Sequence, residues 1–171
     1  IENGYSKYCL DMEVNDISAI QYPCKKYIEV PRQSLVDALT QEDKDIILKA
    51  FVRDMPRLVR QIEESSKAGD KILILTDPLC TLEIRKQIFE DIIKMYEPEG
   101  TIFLKPHPRD ELDYRTLFAE YPQFDATVPM EMLNFFPGLV FEKVVGVLTE
   151  VKNLQFAKEC VRLGPDFMDK Y

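Results

Sequence analysis

The stretch best equipped for chemistry is Thr101-Ile-Phe-Leu-Lys105-Pro106-His107-Pro108-Arg109-Asp110. It holds the only histidine of the 171 residues, set between two prolines and flanked by Lys105 and Arg109. Proline fixes its own φ and pushes the residue before it out of the helical region, so Lys105 and His107 read as extended. The backbone around the imidazole is therefore confined. Such a ring between two cations, in a chain of formal net charge -8, suits an anionic leaving group. It can hand over a hydrogen bond or a proton while the cations offset the remaining charge. The plain alternative is a rigid turn with a surface histidine, because short motifs also arise by chance.

Positioning this segment falls to a strand and to what surrounds it. Ile102, Phe103 and Leu104 read as a short buried strand, and Ile72-Leu-Ile-Leu75 as another. Between them Thr81 can cap a helix that turns Ile84, Ile88, Phe89, Ile92 and Ile93 inward and stops at Pro98-Glu99-Gly100. Strand, helix and strand with short turns make a βαβ unit with parallel strands. The theme continues with a short strand at Ala126-Thr-Val128, a helix from Met130 to Phe136 and a strand at Val144–Leu148. A helix from Val151 to Ala157 and a last strand at Cys160–Leu163 complete it. Upstream, residues 1–30 read as an irregular lead-in with one or two short strands. Thr40 starts a helix carrying Ile46, Ile47, Ala50 and Phe51. Pro56 opens another that buries Leu58, Val59 and Ile62.

The expected fold class is α/β: a Rossmann-like open, mostly parallel sheet with helices on both faces, occupying residues 31–171. Ligands of such sheets bind beyond the carboxyl ends of the strands. Four ends can be read: Thr76-Asp77-Pro78, Pro106-His107-Pro108, Pro129-Met130-Glu131 and Thr149-Glu150. Helix N-termini at that rim offer backbone N–H groups to a phosphate.

Composition narrows the field. At 46% hydrophobic and 30% charged residues the chain has an ordinary globular make-up, and a pI near 4.8 speaks against nucleic-acid binding. No apolar run approaches the ~20 residues of a membrane span, and no signal peptide is visible. Cys9, Cys24, Cys80 and Cys160 form no C-x-x-C pair, which disfavours a zinc site and leaves reduced thiols as the expectation. Asp43-Lys44-Asp45 has the D-x-D spelling of metal-dependent transferases, but it falls in an acid-rich first helical turn and reads as a solvated face. No metal and no cofactor are expected.

Four segments in this order resemble the bacterial sialyltransferases of the two-Rossmann-domain (GT-B) type, above all glycosyltransferase family fifty-two. They are Ile74-Leu-Thr-Asp-Pro-Leu79, Lys105-Pro-His-Pro-Arg109, Pro129-Met-Glu131 and Phe141-Glu-Lys-Val-Val-Gly146. The likeness runs from Ile1 to about Asn153, nearly the whole chain. It implies an inverting, metal-independent transferase with a CMP-sugar donor and a cell-surface glycan acceptor, in lipooligosaccharide or capsule synthesis. By the same likeness His107 is the acid at the departing phosphate and Glu131 meets the ribose. Glu2-Asn3-Gly4-Tyr5 stands where the family has an acidic-acidic-glycine general-base motif, so Glu2 and Asn3 are the catalytic candidates there. Thr149-Glu150 lies near the family's phosphate-binding serine pair. Two departures are plain: Asn3 replaces an acid, and Glu150 brings negative charge where a hydroxyl is usual.

The donor-nucleotide site is thus expected to use Thr76, Asp77, Lys105, Pro106, His107, Pro108, Arg109, Pro129, Glu131, Thr149 and Glu150. If Ile1 marks the family's inter-domain junction, the chain is the donor-binding half without its acceptor-binding partner. A homodimer is a further expectation, as is a cytoplasmic location, peripheral at the inner face of the membrane in the full-length protein. Each single residue also has a bland role: Glu131 can complement a helix dipole, Thr149 can cap a helix, and Lys105 and Arg109 can be a solvated pair. Two other functions remain open. A CDP-alcohol phosphotransferase of teichoic-acid type uses a similar Lys-x-His-Pro element. A degenerate, non-catalytic nucleotide-binding or interaction module is favoured by Asn3 and Glu150.

Overall fold

The structure is a computed structural model, and it describes residues 9–20, 24–67, 69–151 and 154–171. The chain divides into two compact units, Ile1–Ile46 and Ile47–Tyr171. In the first, strands β1 (Met12–Val14) and β2 (Tyr27–Glu29) pair in parallel with Met12 opposite Tyr27, and a short helix α1 (Arg32–Asp37) follows. Helix α2 (Gln41–Phe51) starts on a reciprocal cap. The Thr40 hydroxyl accepts the Asp43 N–H, while the Asp43 carboxylate accepts the Thr40 N–H and hydroxyl. That cap holds the Asp43 carboxyl below its usual range. Asp43 therefore serves the helix terminus, as its place in the first turn suggested.

The second unit contains the four-stranded sheet, with spatial order β4-β3-β5-β6 and every pairing parallel. Its strands are β3 (Lys71–Leu75), β4 (Thr101–Lys105), β5 (Phe141–Gly146) and β6 (Ala157–Arg162). Leu73 lies opposite Phe103 on one side and Val144 on the other, so β3 is central. A strand flanked on both edges and both faces is a near-continuous apolar run; Ile72 to Leu75 are apolar, and all five residues of β3, Lys71 included, are buried. The expected class of fold is the one observed, an open parallel α/β sheet with helices against it.

Helix α4 (Leu82–Tyr96) covers one face. Thr81 caps it, its hydroxyl accepting the Ile84 N–H, and Ile88, Phe89, Ile92 and Ile93 pack against Ile72, Ile74, Ile102, Leu104 and Val145. Tyr114 and Phe118, from and just after the short helix α5 (Tyr114–Leu117), close that layer. On the other face Phe103 meets the rings of Phe124 and Phe141 at centroid distances of 6.3 and 5.7 Å. Helix α3 (Met55–Lys67) reaches the same region, with the Gln61 amide donating to the Gln123 carbonyl. The turn into β4 is tight at Gly100, where a Cβ would stand 2.5 Å from the Asp70 carbonyl oxygen. Only glycine fits that approach.

Several local expectations are corrected. Residues 126–128 form a turn, not a strand, because the Asp125 carboxylate takes the Thr127 N–H and hydroxyl; local side-chain bonds of this kind compete with a ladder. The helix after Pro129 is a 3₁₀ helix, Met130–Phe135. No helix forms from Val151 to Ala157 among the described residues, and Ala157 already opens β6. Strand β5 begins at Phe141, earlier than expected, since Phe141 is fully buried against three other phenylalanines. Among the described residues of α2 and α3, Leu48, Leu58 and Ser65 are buried and Ile62 is half-buried, whereas Ile46, Phe51 and Val59 are exposed. Among the described residues no helix is long and apolar enough to cross a membrane.

Candidate functional site

The sheet order makes the site. From β3 the chain goes through α4 to β4 on one side, then returns past β3 to place β5 on the other. Successive strands thus leave in opposite directions from β3, which opens a crevice beyond its carboxyl end. A half-open cavity of about 280 Å³ lies there, near the lower bound of small-molecule sites, ~300 Å³. It is lined by Leu75, Thr76 and Asp77 at the end of β3, by Lys105 to Pro108 at the end of β4, by Pro129, Met130 and Glu131, and by Thr149. All four expected strand-end segments contribute to it, the last through Thr149 alone. One of the four, Pro129-Met130-Glu131, enters from a turn and a 3₁₀ helix and not from a strand.

His107 is held from two sides. Its N–H donates to the Thr76 hydroxyl at 3.0 Å, and its Nδ1 accepts the Arg109 N–H at 3.1 Å. With Nδ1 used as an acceptor, the proton of the neutral ring belongs on Nε2. The residue is half-buried and lines the cavity.

Lys105 lines the same cavity although it is only 4% exposed. Its ammonium donates to the carbonyls of Pro106 (3.0 Å) and Ala126 (3.3 Å). Burial pulls its pKa down from 10.5 to about 8, against the opposing pull of the Asp125 and Glu131 carboxylates. Glu131 itself is exposed in the first turn of the 3₁₀ helix, at the rim.

Other expected residues have different duties. Asp77 accepts the N–H groups of Leu148 and Thr149, both at 3.1 Å, and the Thr149 hydroxyl. Its carboxylate and that hydroxyl therefore tie the end of β5 to the end of β3. Arg109 and Glu150 are exposed and do not line the cavity; what Arg109 contributes to it is a backbone N–H. Glu2 and Asn3 lie outside the described residues.

The sequence reading missed a buried pair that reaches the cavity lining through Thr76. Arg85, 7% exposed, meets the Asp110 carboxylate at 2.5 Å and donates to the carbonyls of Leu79 (2.6 Å) and Cys80 (2.9 Å). Asp110 also accepts the Tyr114 hydroxyl (2.8 Å), the Leu112 N–H (3.1 Å) and the Thr76 hydroxyl (3.3 Å). The signal was present: Arg85 stands three and four residues before Ile88 and Phe89, on the apolar face of α4.

The arrangement offers one imidazole hydrogen-bond donor, one buried cation and one rim carboxylate around a cleft at parallel strand ends. That set suits an anionic ligand with hydroxyls close to the anion. No solved structure matches the chain. A protein of Haemophilus influenzae Rd, named only as uncharacterized, is 29% identical over 142 residues, covering 77% of this chain and 44% of that protein. The chain thus spans less than half the length of that relative. The sequence profile of Glycosyltransferase family 52 matches residues 1–144, which include β3, β4 and the turn through Glu131. On that match, reaching across most of the chain and nearly all of the cavity wall, the chain belongs to glycosyltransferase family 52.

Proposed function

We propose that this chain carries the donor-nucleotide site of an inverting, metal-independent glycosyltransferase, sialyltransferase-like, with a CMP-linked sugar as donor and a cell-surface glycan as acceptor. The family supports the reaction class. The observation that most supports the role of this site is the Arg109 N–H on Nδ1 of His107, which leaves Nε2–H as the donor in the cavity.

In the proposed reaction an acceptor hydroxyl attacks the anomeric carbon, and the bond from that carbon to the phosphate oxygen breaks. Negative charge grows on the departing phosphate. His107 gives that oxygen a hydrogen bond from Nε2–H, stabilising the growing charge as a preorganised donor does, of the order of 10²–10³-fold. Lys105 brings positive charge within a poorly solvated wall, where it counts for more than in water. Glu131 at the rim accepts from the ribose hydroxyls. Glu2 is the candidate to take the acceptor's proton.

Thermal-shift measurements with CMP, UDP and GDP test this reading, since a ligand that binds only the folded state raises the midpoint by mass action. CMP is expected to raise it more than UDP or GDP do. His107→Ala is expected to fold and to lose most of that rise. A chain stabilised equally by all three nucleotides, or a variant shifted as much as wild type, contradicts the assignment.

A further inference from the structure

We infer that the buried Arg85–Asp110–Thr76 network fixes the ring tautomer of His107, making Thr76 and Asp110 positioning residues for the proposed hydrogen-bond donor to the phosphate. The inference rests on the donor-site reading only for its purpose; the geometry stands by itself.

The hydrogen bonds have a direction. The Asp110 side chain is fully buried and as a carboxylate can only accept. Facing it, Thr76 must donate its single hydroxyl proton to Asp110, and so it turns lone pairs toward the His107 N–H. Arg85, the Leu112 N–H and the Tyr114 hydroxyl hold the carboxylate in that role. Burial pushes the Tyr114 phenol up, so it remains a donor.

The sequence then leaves few choices. Pro106 and Pro108 have no N–H, so residues 106–109 carry two backbone donors, those of His107 and Arg109. Thr76 takes the first and anchors the loop to the end of β3. The second goes to Nδ1 of the ring. The Asp110 N–H closes the turn on the His107 carbonyl at 3.0 Å. Without the Thr76 anchor the turn has no tie to β3 at His107, and the Arg109 N–H loses its alignment with Nδ1. A donor that must offer Nε2–H to a leaving oxygen needs that alignment before the ligand arrives.

The lone histidine makes the test direct. In the ¹⁵N-labelled full chain without ligand, the imidazole gives one pair of nitrogen resonances. The expected pattern is an unprotonated Nδ1 and a protonated Nε2 at neutral pH, with a slowly exchanging Arg109 amide. Thr76→Ser retains the hydroxyl and is expected to keep both features. Thr76→Val matches the shape but cannot bond. It is expected to bring the two nitrogen resonances together, to speed Arg109 exchange, and to weaken CMP binding by about 3- to 10-fold, the loss of one neutral hydrogen bond. A protonated Nδ1 in the wild-type chain overturns the inference, whatever the variants do. So does a folded Thr76→Val chain with unchanged ring resonances and Arg109 exchange. Failure of CMP to bind wild type, with the ligand-free ring pattern as expected, counts against the donor-site reading and leaves the network's role standing.

Discussion

Arg85→Ala is expected to destabilise the fold by about 3–5 kcal/mol, the range for removing one partner of a buried ion pair. Against a total stability of the order of 5–15 kcal/mol, that threatens folding itself. The size follows from what would be abandoned. Asp110 would keep a buried negative charge with only neutral donors around it. The carbonyls of Leu79 and Cys80 would lose their guanidinium donors. Cys80 sits at a φ of 39°, a conformation that a non-glycine residue holds only when its surroundings enforce it. The Arg85 fork on its carbonyl is one such restraint. Arg85→Lys is expected to recover little, since a single ammonium cannot serve three acceptors lying along a planar fork. Urea unfolding measures this as a lower midpoint at unchanged slope. A loss below about 1 kcal/mol would show the pair to be effectively solvated.

The second large effect concerns Lys105. Lys105→Met is expected to weaken CMP binding by about 10- to 100-fold at pH 7, the value of a hydrogen bond to a charged group. Arg109→Ala is expected to change it little, because the Arg109 side chain lies outside the cavity and its backbone N–H survives the substitution. The pH dependence has a definite sign. Lys105 loses its proton near pH 8 in the ligand-free fold, so wild-type affinity should fall as pH rises above about 8, by at most tenfold per unit. Above pH 7 the CMP phosphate is already ionised, its second pKa being about 6, which leaves the protein side responsible. Stability moves the other way. The folded pKa of Lys105 lies below its unfolded value of 10.5, so between about 8 and 10.5 the unfolded chain binds more protons. This residue's contribution to stability therefore rises with pH across that window. Comparing wild type with Lys105→Met isolates it from other groups titrating there. Affinity that stays flat from pH 7 to 10 contradicts a role for Lys105 at the phosphate.

How far the sequence discloses this site depends on the range of the forces involved. Helix α4 and strands β3 and β4 were legible because a cap, an apolar period and a glycine stop agree over short distances. Three of the four cavity segments were legible because strand ends in parallel sheets carry ligands whatever the details, while Pro129-Met130-Glu131 reaches the cavity from a turn that was misread as a strand. Residues 126–128 misled because alternating apolar residues resemble a strand, while the Asp125 carboxylate one position earlier decides for a turn. Asp77 and Thr149 look like ligands in isolation and turn out to bond to each other across 72 positions. Arg85 and Asp110 are 25 positions apart, and nothing local distinguishes that arginine from a solvated one except the apolar side of the helix it occupies. The local pattern reveals which segments converge. It does not reveal which polar groups become one another's partners.

The central claim is that Nε2–H of His107 meets the phosphate of a cytidine nucleotide. Following the imidazole nitrogen resonances while adding CMP, and separately cytidine, tests it most directly. CMP should shift the Nε2 resonance saturably, and cytidine, which lacks the phosphate, should leave it in place. Saturable CMP binding with both ring nitrogens unmoved would contradict the account.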